Sequence, residues 1–218
     1  MRGLQLIGNL DGLLVTVPHK IAVCALVDHV SPAVAVSGSA NALRREPDGS
    51  WSAANFDGTG FVAGLVHRGH DPAGRTVAVV GAGGAGSAIA VALLEAGVGG
   101  LRVCDRDPAR LAALRDRVAE RWPRPVVFSD EPDLRGADLV VNATPLGLRE
   151  TDELPFSLDD LAPHAVVADI IMTPRDTELL ALAAARGHRV HHGIHMLRHQ
   201  IPAYLQFFGF GDALSARS

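Results

Sequence analysis

The sequence predicts an α/β protein built on a doubly wound parallel sheet, with a smaller α/β unit in front of it. Three observations carry that expectation. From residue 76 onward, short apolar strand patterns alternate with helical ones. A glycine-rich turn separates the first of those strands from its helix. An acidic residue closes the strand that follows.

The stretch TVAVVGAGGAGSAIAVALLEAGVGGLRVCD, residues 76–105, holds the turn and the acid. Residues 78–80 read as a buried strand, 87–95 as a helix and 101–104 as a second strand. Gly81, Gly83 and Gly86 have the spacing of the dinucleotide fingerprint, and Asp105 follows Gly86 by 19 positions. The glycines serve a tight turn, backbone approach to a pyrophosphate, and close helix–strand packing. Gly84 and Ala85 complete the turn, where a helix N-terminus offers unpaired N–H groups to phosphate. The expected sheet is therefore of the Rossmann type. The uncharged run 76–94 is long enough to cross a bilayer. Its four glycines between 81 and 86 would make a poor helix, so a strand–turn–helix is the better reading.

The smaller unit comes first in the chain. Residues 1–9 suggest the end of a helix, and 12–17 (GLLVTV) a short buried strand. Pro18 suits a first helical turn, which places a helix from there to about residue 28. Residues 39–45 and 51–55 flank Pro47-Asp48-Gly49-Ser50 and predict a hairpin. A helix is expected from Asp57 to about Gly69. In the larger unit the expected strands are 76–80, 101–105, 126–128, 138–143, 166–171 and 189–191, with helices over 84–96, 108–121 and 177–185. The apolar segment 195–208 reads as a helix, kinked or started late by Pro202, that returns to the first unit. The expected domains are residues 1–64 completed by 195–218, and residues 65–194.

Composition narrows the function. With 218 residues, 48% of them hydrophobic, the chain can fill a proper core, and its formal charge of −4 gives no reason to expect nucleic acid or an anionic membrane as partner. Two distant cysteines, Cys24 and Cys104, and no signal pattern point to a reduced, cytoplasmic protein. Ten histidines are present, five of them between 188 and 199, but HExxH is absent. Loop and surface histidines are expected there, and no metal. Of 20 Lys and Arg residues only Lys20 is lysine. A guanidinium keeps its proton, whereas a desolvated amine can release one, so Lys20 is a candidate for proton transfer.

Seven blocks in order give a more specific reading: VTVPHK, SGSANAL, NFDGTGF, VVGAGGAG, VVNATPLG, DIIMTPRDTELL and GIHMLRHQ. Over nearly its whole length the chain resembles the shikimate/quinate dehydrogenase family. The resemblance implies a substrate domain, a dinucleotide domain and a C-terminal helix packed back on the first. It implies NAD(P)-dependent reversible reduction of 3-dehydroshikimate or 3-dehydroquinate to shikimate or quinate. Lys20 would transfer the proton, with Asp57 as its carboxylate partner. Thr16, Asn41 and Gln200 would contact the ring hydroxy-acid. Asn142, Ala143, Thr144 and Pro145 would run past the nicotinamide half of the cofactor, with Gly193 and Met196 close to it. Taken alone, Asp57 reads as a helix N-cap as readily as a catalytic group.

The departures from the family pattern are specific. Its AVNT block appears here as SANA, which replaces a threonine by Ala42, and its NTD block as NFD, which introduces Phe56. Met172 stands where many members have tyrosine. Members carry about one βαβ unit, with a serine pair for the substrate carboxylate, ahead of the point where this sequence starts, so the substrate domain is expected to be N-terminally short. Relatives using NADP often show N-R-T after the second strand, where this chain has Asp105-Arg106-Asp107. Asp105 can accept the ribose hydroxyls and would repel a 2′-phosphate, while Arg106 could stack on adenine or pair with a phosphate. NAD is the expected cofactor and NADP the alternative. A homodimer is a possible assembly. A methylenetetrahydrofolate dehydrogenase is disfavoured by the NFD and MLRHQ blocks. The competing reading is a degenerate dinucleotide-binding protein with little or no turnover.

Overall fold

The computed structural model describes residues 2–122 and 126–211. Its strands form two sheets. The smaller contains β1 (Gly12–Leu14), β2 (His29–Val30), β3 (Ala42–Arg45) and β4 (Trp51–Ala54), in the order β1-β3-β4-β2. The predicted hairpin is β3–β4, antiparallel, with Ala42 opposite Ala54 and Arg45 opposite Trp51. Gly49 supplies a φ of +89° at its tip, and Asp48 accepts the Ser50 N–H at 2.9 Å. Val23, Val34, Leu43, Trp51 and Ala53 form the core on this sheet.

The larger sheet contains β5 (Thr76–Val80), β6 (Gly100–Cys104), β7 (Val126–Ser129), β8 (Leu139–Asn142), β9 (Val166–Asp169) and β10 (Arg189–His191). The order is β10-β9-β8-β5-β6-β7, and every pairing is parallel. This is the Rossmann order, which reverses direction between β5 and β8 and leaves a crevice at their carboxyl ends. The helices α4 (Gly84–Glu95), α5 (Pro108–Ala119) and α6 (Glu178–Ala185) match the predicted ones within two residues. Asp107 caps α5 by accepting the Ala109 N–H at 2.9 Å, and Thr177 caps α6. No helix joins β8 to β9; Phe156, Leu158 and Leu161 cover that face of the sheet from irregular chain instead.

Two helices tie the sheets together. α3 (Asp57–His67) packs between α4 and α7 (Ile194–Phe207). Glycines make the close crossings possible. A side chain at Gly58 would strike the Ala88 carbonyl and Ala92, and one at Gly60 would stand 2.7 Å from the Met196 carbonyl. Phe61 and Leu65, fully buried, anchor the same helix, at roughly 1.5–3 kcal/mol each for apolar burial. α7 passes through Pro202 without a break. The segment 212–218, expected to complete the first domain, lies outside the described residues. No helix among the described residues is long and apolar enough to cross a membrane.

Two expectations need correction, and two elements are additions. Pro18 opens no α-helix: its peptide bond is cis, and only a five-residue 3₁₀ helix, Ala22–Leu26, follows. The reason lies in the Lys20 carbonyl, which accepts the Ala40 N–H at 2.8 Å and so leaves the α-helical pattern. The helix α2 (Pro32–Ser37), capped by Ser31 and ended by Gly38 at φ +68°, is an addition to the expected elements, as is β2. The helix end expected over residues 1–9 is the short α1 (Arg2–Gln5). The histidines are not all on loops and surface. His191 is 1% exposed, with both ring nitrogens unbonded, against Phe61, His70 and His195.

Candidate active site

Lys20 lies on the turn that leaves β1. Its Nζ donates to Asp57 Oδ2 at 2.6 Å, and the two side chains are 11% and 3% exposed. Asp57 is the first residue of α3, and its carboxylate caps nothing. Its Oδ1 accepts Asn41 Nδ2 at 3.0 Å and Gln200 Nε2 at 3.1 Å. A buried carboxylate is tolerable only when such donors surround it, and here three N–H groups do so.

The two amides are themselves oriented. Asn41 Oδ1 accepts the Phe56 N–H at 3.0 Å. Gln200 Oε1 accepts the Tyr204 hydroxyl at 2.6 Å. Burial, with help from the Asp57 charge, pushes the Tyr204 phenol above its ordinary range, so it stays a donor. Phe56 packs edge-on against Tyr204 and Phe207, an apolar wall beside the carboxylate. Thr16 is exposed, and only its carbonyl, which accepts the His19 N–H, is bonded.

The lysine stem lies directly on the glycine turn. A Cβ on Gly84 would stand 2.8 Å from Lys20 Cβ. Gly81 has φ +107°, and a side chain there would meet Ala143 at 2.7 Å; one at Gly86 would collide with the Gly81 carbonyl. Internal packing thus explains those glycines. Gly83 differs, because the place its Cβ would occupy has no neighbour within 4 Å. α4 opens immediately after it, with Ala85 buried in its first turn. The cradle at Gly83, open in front and backed by a helix N-terminus, fits a dinucleotide pyrophosphate.

The other predicted cofactor residues divide into two groups. Asp105 faces the turn: Oδ2 accepts the Ala82 N–H at 2.7 Å and Oδ1 the Asp107 N–H at 2.9 Å. Arg110 reaches to 3.8 Å from that carboxylate, whereas Arg106 points outward to Glu153 at 3.0 Å. Asn142 is fully buried and turned inward. Its Nδ2 donates to the Leu146 carbonyl and to Asp169, and its Oδ1 accepts the Thr144 N–H and hydroxyl, so it shapes the loop through Ala143, Thr144 and Pro145. Asp169 also accepts from Thr177, and burial pushes its carboxyl up. Gly193 is pressed against the Ile170 carbonyl, and Met196 lies in the main core.

The residues that sequence reasoning missed act on the recognised ones. Asn55 Oδ1 accepts the Asp57 N–H at 2.9 Å, a turn signal readable two positions ahead of Asp57. Tyr204 falls one helical turn after Gln200. Asp169 and Asn142 are register partners on β9 and β8. Ser39 stands first in the SANA block, but nothing in the sequence announced its partner, the Gly84 carbonyl.

An open parallel sheet with a glycine turn at its switch point, facing a buried amine–carboxylate pair, defines an NAD(P)-dependent oxidoreductase. The chain is 43% identical to the shikimate dehydrogenase (NADP(+)) of Rubrobacter xylanophilus, across 86% of this chain and 67% of that one. It is 40% identical to the quinate/shikimate dehydrogenase (NAD(+)) of Corynebacterium efficiens, across 91% and 72%. The structure of shikimate 5-dehydrogenase from Thermus thermophilus, in complex with NADP(H) and shikimate, matches with a TM-score of 0.81 at 30% identity, across 95% and 76%. No family model matches the chain. The chain belongs to the shikimate/quinate dehydrogenase family.

Proposed function

We propose that Lys20 is the proton-transfer group for reversible oxidation of a ring carbinol, shikimate or quinate, to its ketone. One observation carries the reading: Lys20 Nζ stands 2.6 Å from a buried Asp57 while its stem rests on the glycine turn. A bound nicotinamide dinucleotide supplies the hydride acceptor. Oxidation also requires the hydroxyl proton to leave, and a base within hydrogen-bond reach must take it. Lys20 does so, and Asp57 fixes the direction of its amine. Asn41 and Gln200 hold the neighbouring ring hydroxyls, using amide hydrogens and lone pairs left over from Asp57. Thr16, exposed on the same turn, lines the mouth. Lys20→Met should lower kcat by about 10²–10⁴-fold, the usual worth of a positioned acid–base group. Turnover within threefold of the parent would remove Lys20 from the mechanism.

NAD is the proposed cofactor, with NADP the less favoured one. Asp105 presents a carboxylate at the glycine turn, Asp107 lies beside it, and Arg106 is engaged with Glu153. A 2′-phosphate would meet that negative charge, whereas a ribose hydroxyl would donate to it. NADH should have the higher kcat/KM, and Asp105→Asn should narrow the gap while keeping an acceptor for the Ala82 N–H. Equal or greater efficiency with NADPH in the unaltered protein would reverse the assignment.

A further inference from the structure

One buried hydroxyl links the two sheets beside the amine–carboxylate pair. Ser39 is fully buried. Its Oγ donates to the Gly84 carbonyl at 2.6 Å and accepts Asn55 Nδ2 at 2.9 Å. Asn55 Nδ2 also donates to the Ser39 carbonyl at 3.0 Å, and Asn55 Oδ1 accepts the Asp57 N–H at 2.9 Å. Ser37 Oγ lies 3.4 Å from Ser39 Oγ, too long to compete for the single hydroxyl proton. Gly84 is the first residue of α4 and the same glycine on which the Lys20 stem rests. Two contacts from the smaller unit therefore converge on one residue of the glycine turn. Ser39 opens the SANA block, at the position where the family's AVNT block has alanine.

We propose that Ser39 is a positioning residue that couples occupancy of the glycine turn to the placement of Lys20 and Asp57. The proposal rests on the roles proposed above for those two residues. A pyrophosphate bound to the N–H groups of α4 fixes its first turn. The Gly84 carbonyl is rigid with that turn. Ser39 holds the carbonyl, Asn55 holds Ser39, and Asn55 also holds the backbone of Asp57. Without the hydroxyl, only packing joins the turn to the proton-transfer pair, the Lys20 stem on Gly84 and Gly58 against Ala88, and the carboxylate follows the nucleotide less closely.

Ser39→Ala tests this, with Ser31→Ala as a control that removes the cap at the far end of the preceding helix, α2, and leaves the bridge itself in place. Shikimate and NADH, both reduced, form a non-reacting complex whose affinities can be titrated at equilibrium. In the parent each should tighten the other by about fivefold or more, an ordinary coupling. In Ser39→Ala the coupling should fall below about twofold while each ligand alone binds within about threefold of the parent, since binding and coupling are separate free energies. Ser31→Ala should lower the melting temperature and leave the coupling intact. A second readout needs no substrate. Lys20 is the only lysine, so its rate of acylation by an amine reagent, followed by peptide mass spectrometry across pH, reports its titration with and without NAD⁺. The nucleotide's own charges act on Lys20 in every variant, so the shift should be full in the parent and in Ser31→Ala and clearly smaller in Ser39→Ala. Retained coupling and a retained shift in Ser39→Ala would overturn the proposal, as would a parent profile that NAD⁺ leaves unmoved. A parent that turns over neither shikimate nor quinate would defeat the proposed function, and the acylation profiles would still decide the bridge.

Discussion

Around Asp57, charge is handled by orientation more than by number. A single amine meets one carboxylate oxygen, and two amides meet the other. Tyr204 sets which end of the Gln200 amide faces Asp57. Tyr204→Phe keeps the ring against Phe56 and removes that bond, so it should raise the substrate KM by about 3–10-fold, the worth of one hydrogen bond. Unchanged KM in steady-state assays would show that Asp57 alone orients the amide. His191 carries a different prediction. Burial, with His195 and His70 nearby, holds its imidazole down at about 3, against an ordinary 6.5. As pH falls from about 6.5 towards 3, the unfolded chain gains a proton that the folded one refuses, so stability drops across that window. His70 and His195 are shifted in the same direction. His191→Leu should therefore move the acid-unfolding midpoint, followed by circular dichroism, to lower pH. An unmoved midpoint would place the acid sensitivity elsewhere. The two residues differ in how readable they are. Lys20 is visible because composition isolates it, whereas His191 looks like a surface histidine because its burial depends on Phe61 and His195, which only the fold brings to it.

At the scale of elements, α3 decides how the pieces meet. Gly58 faces α4, while Gly60 and Gly64 face α7. Gly58→Ala would drive a methyl into the Ala88 carbonyl, and overpacking of this kind costs about 1–3 kcal/mol. A thermal melt should show a clear fall in Tm. An unshifted melt would mean that α3 and α4 can separate at no cost. The hairpin, the parallel strands and α4 to α6 are readable because turn chemistry, apolar runs and caps are local. The segment after Pro18 is not, since its backbone bonds to Ala40, twenty residues away in the sequence. α2 does carry a local signature, in Ser31, Pro32 and Gly38, but its six residues are too few to show an apolar period.

The molecule as a whole depends on bonds between distant parts of the chain. Arg117 on α5 donates to the Val36 carbonyl at 2.7 Å and the Ser37 carbonyl at 3.1 Å, at the end of α2. Arg117→Met should keep the packing of the stem and lose about 1.5–3 kcal/mol from these charged bonds. Chemical denaturation checks the value; a loss under about 0.5 kcal/mol would make the contact incidental, as many exposed ones are. No sequence pattern could pair residues 81 apart, and the same holds for Ser39 with Gly84. The bond from Gln200 to Asp57 spans 143 residues. A ribosome delivers these two side chains at widely separated moments, and the carboxylate waits for its last donor until α7 has emerged. Nascent chains stalled short of α7 should thus be inert however well the glycine turn has formed, which makes translation itself the timer for the onset of activity.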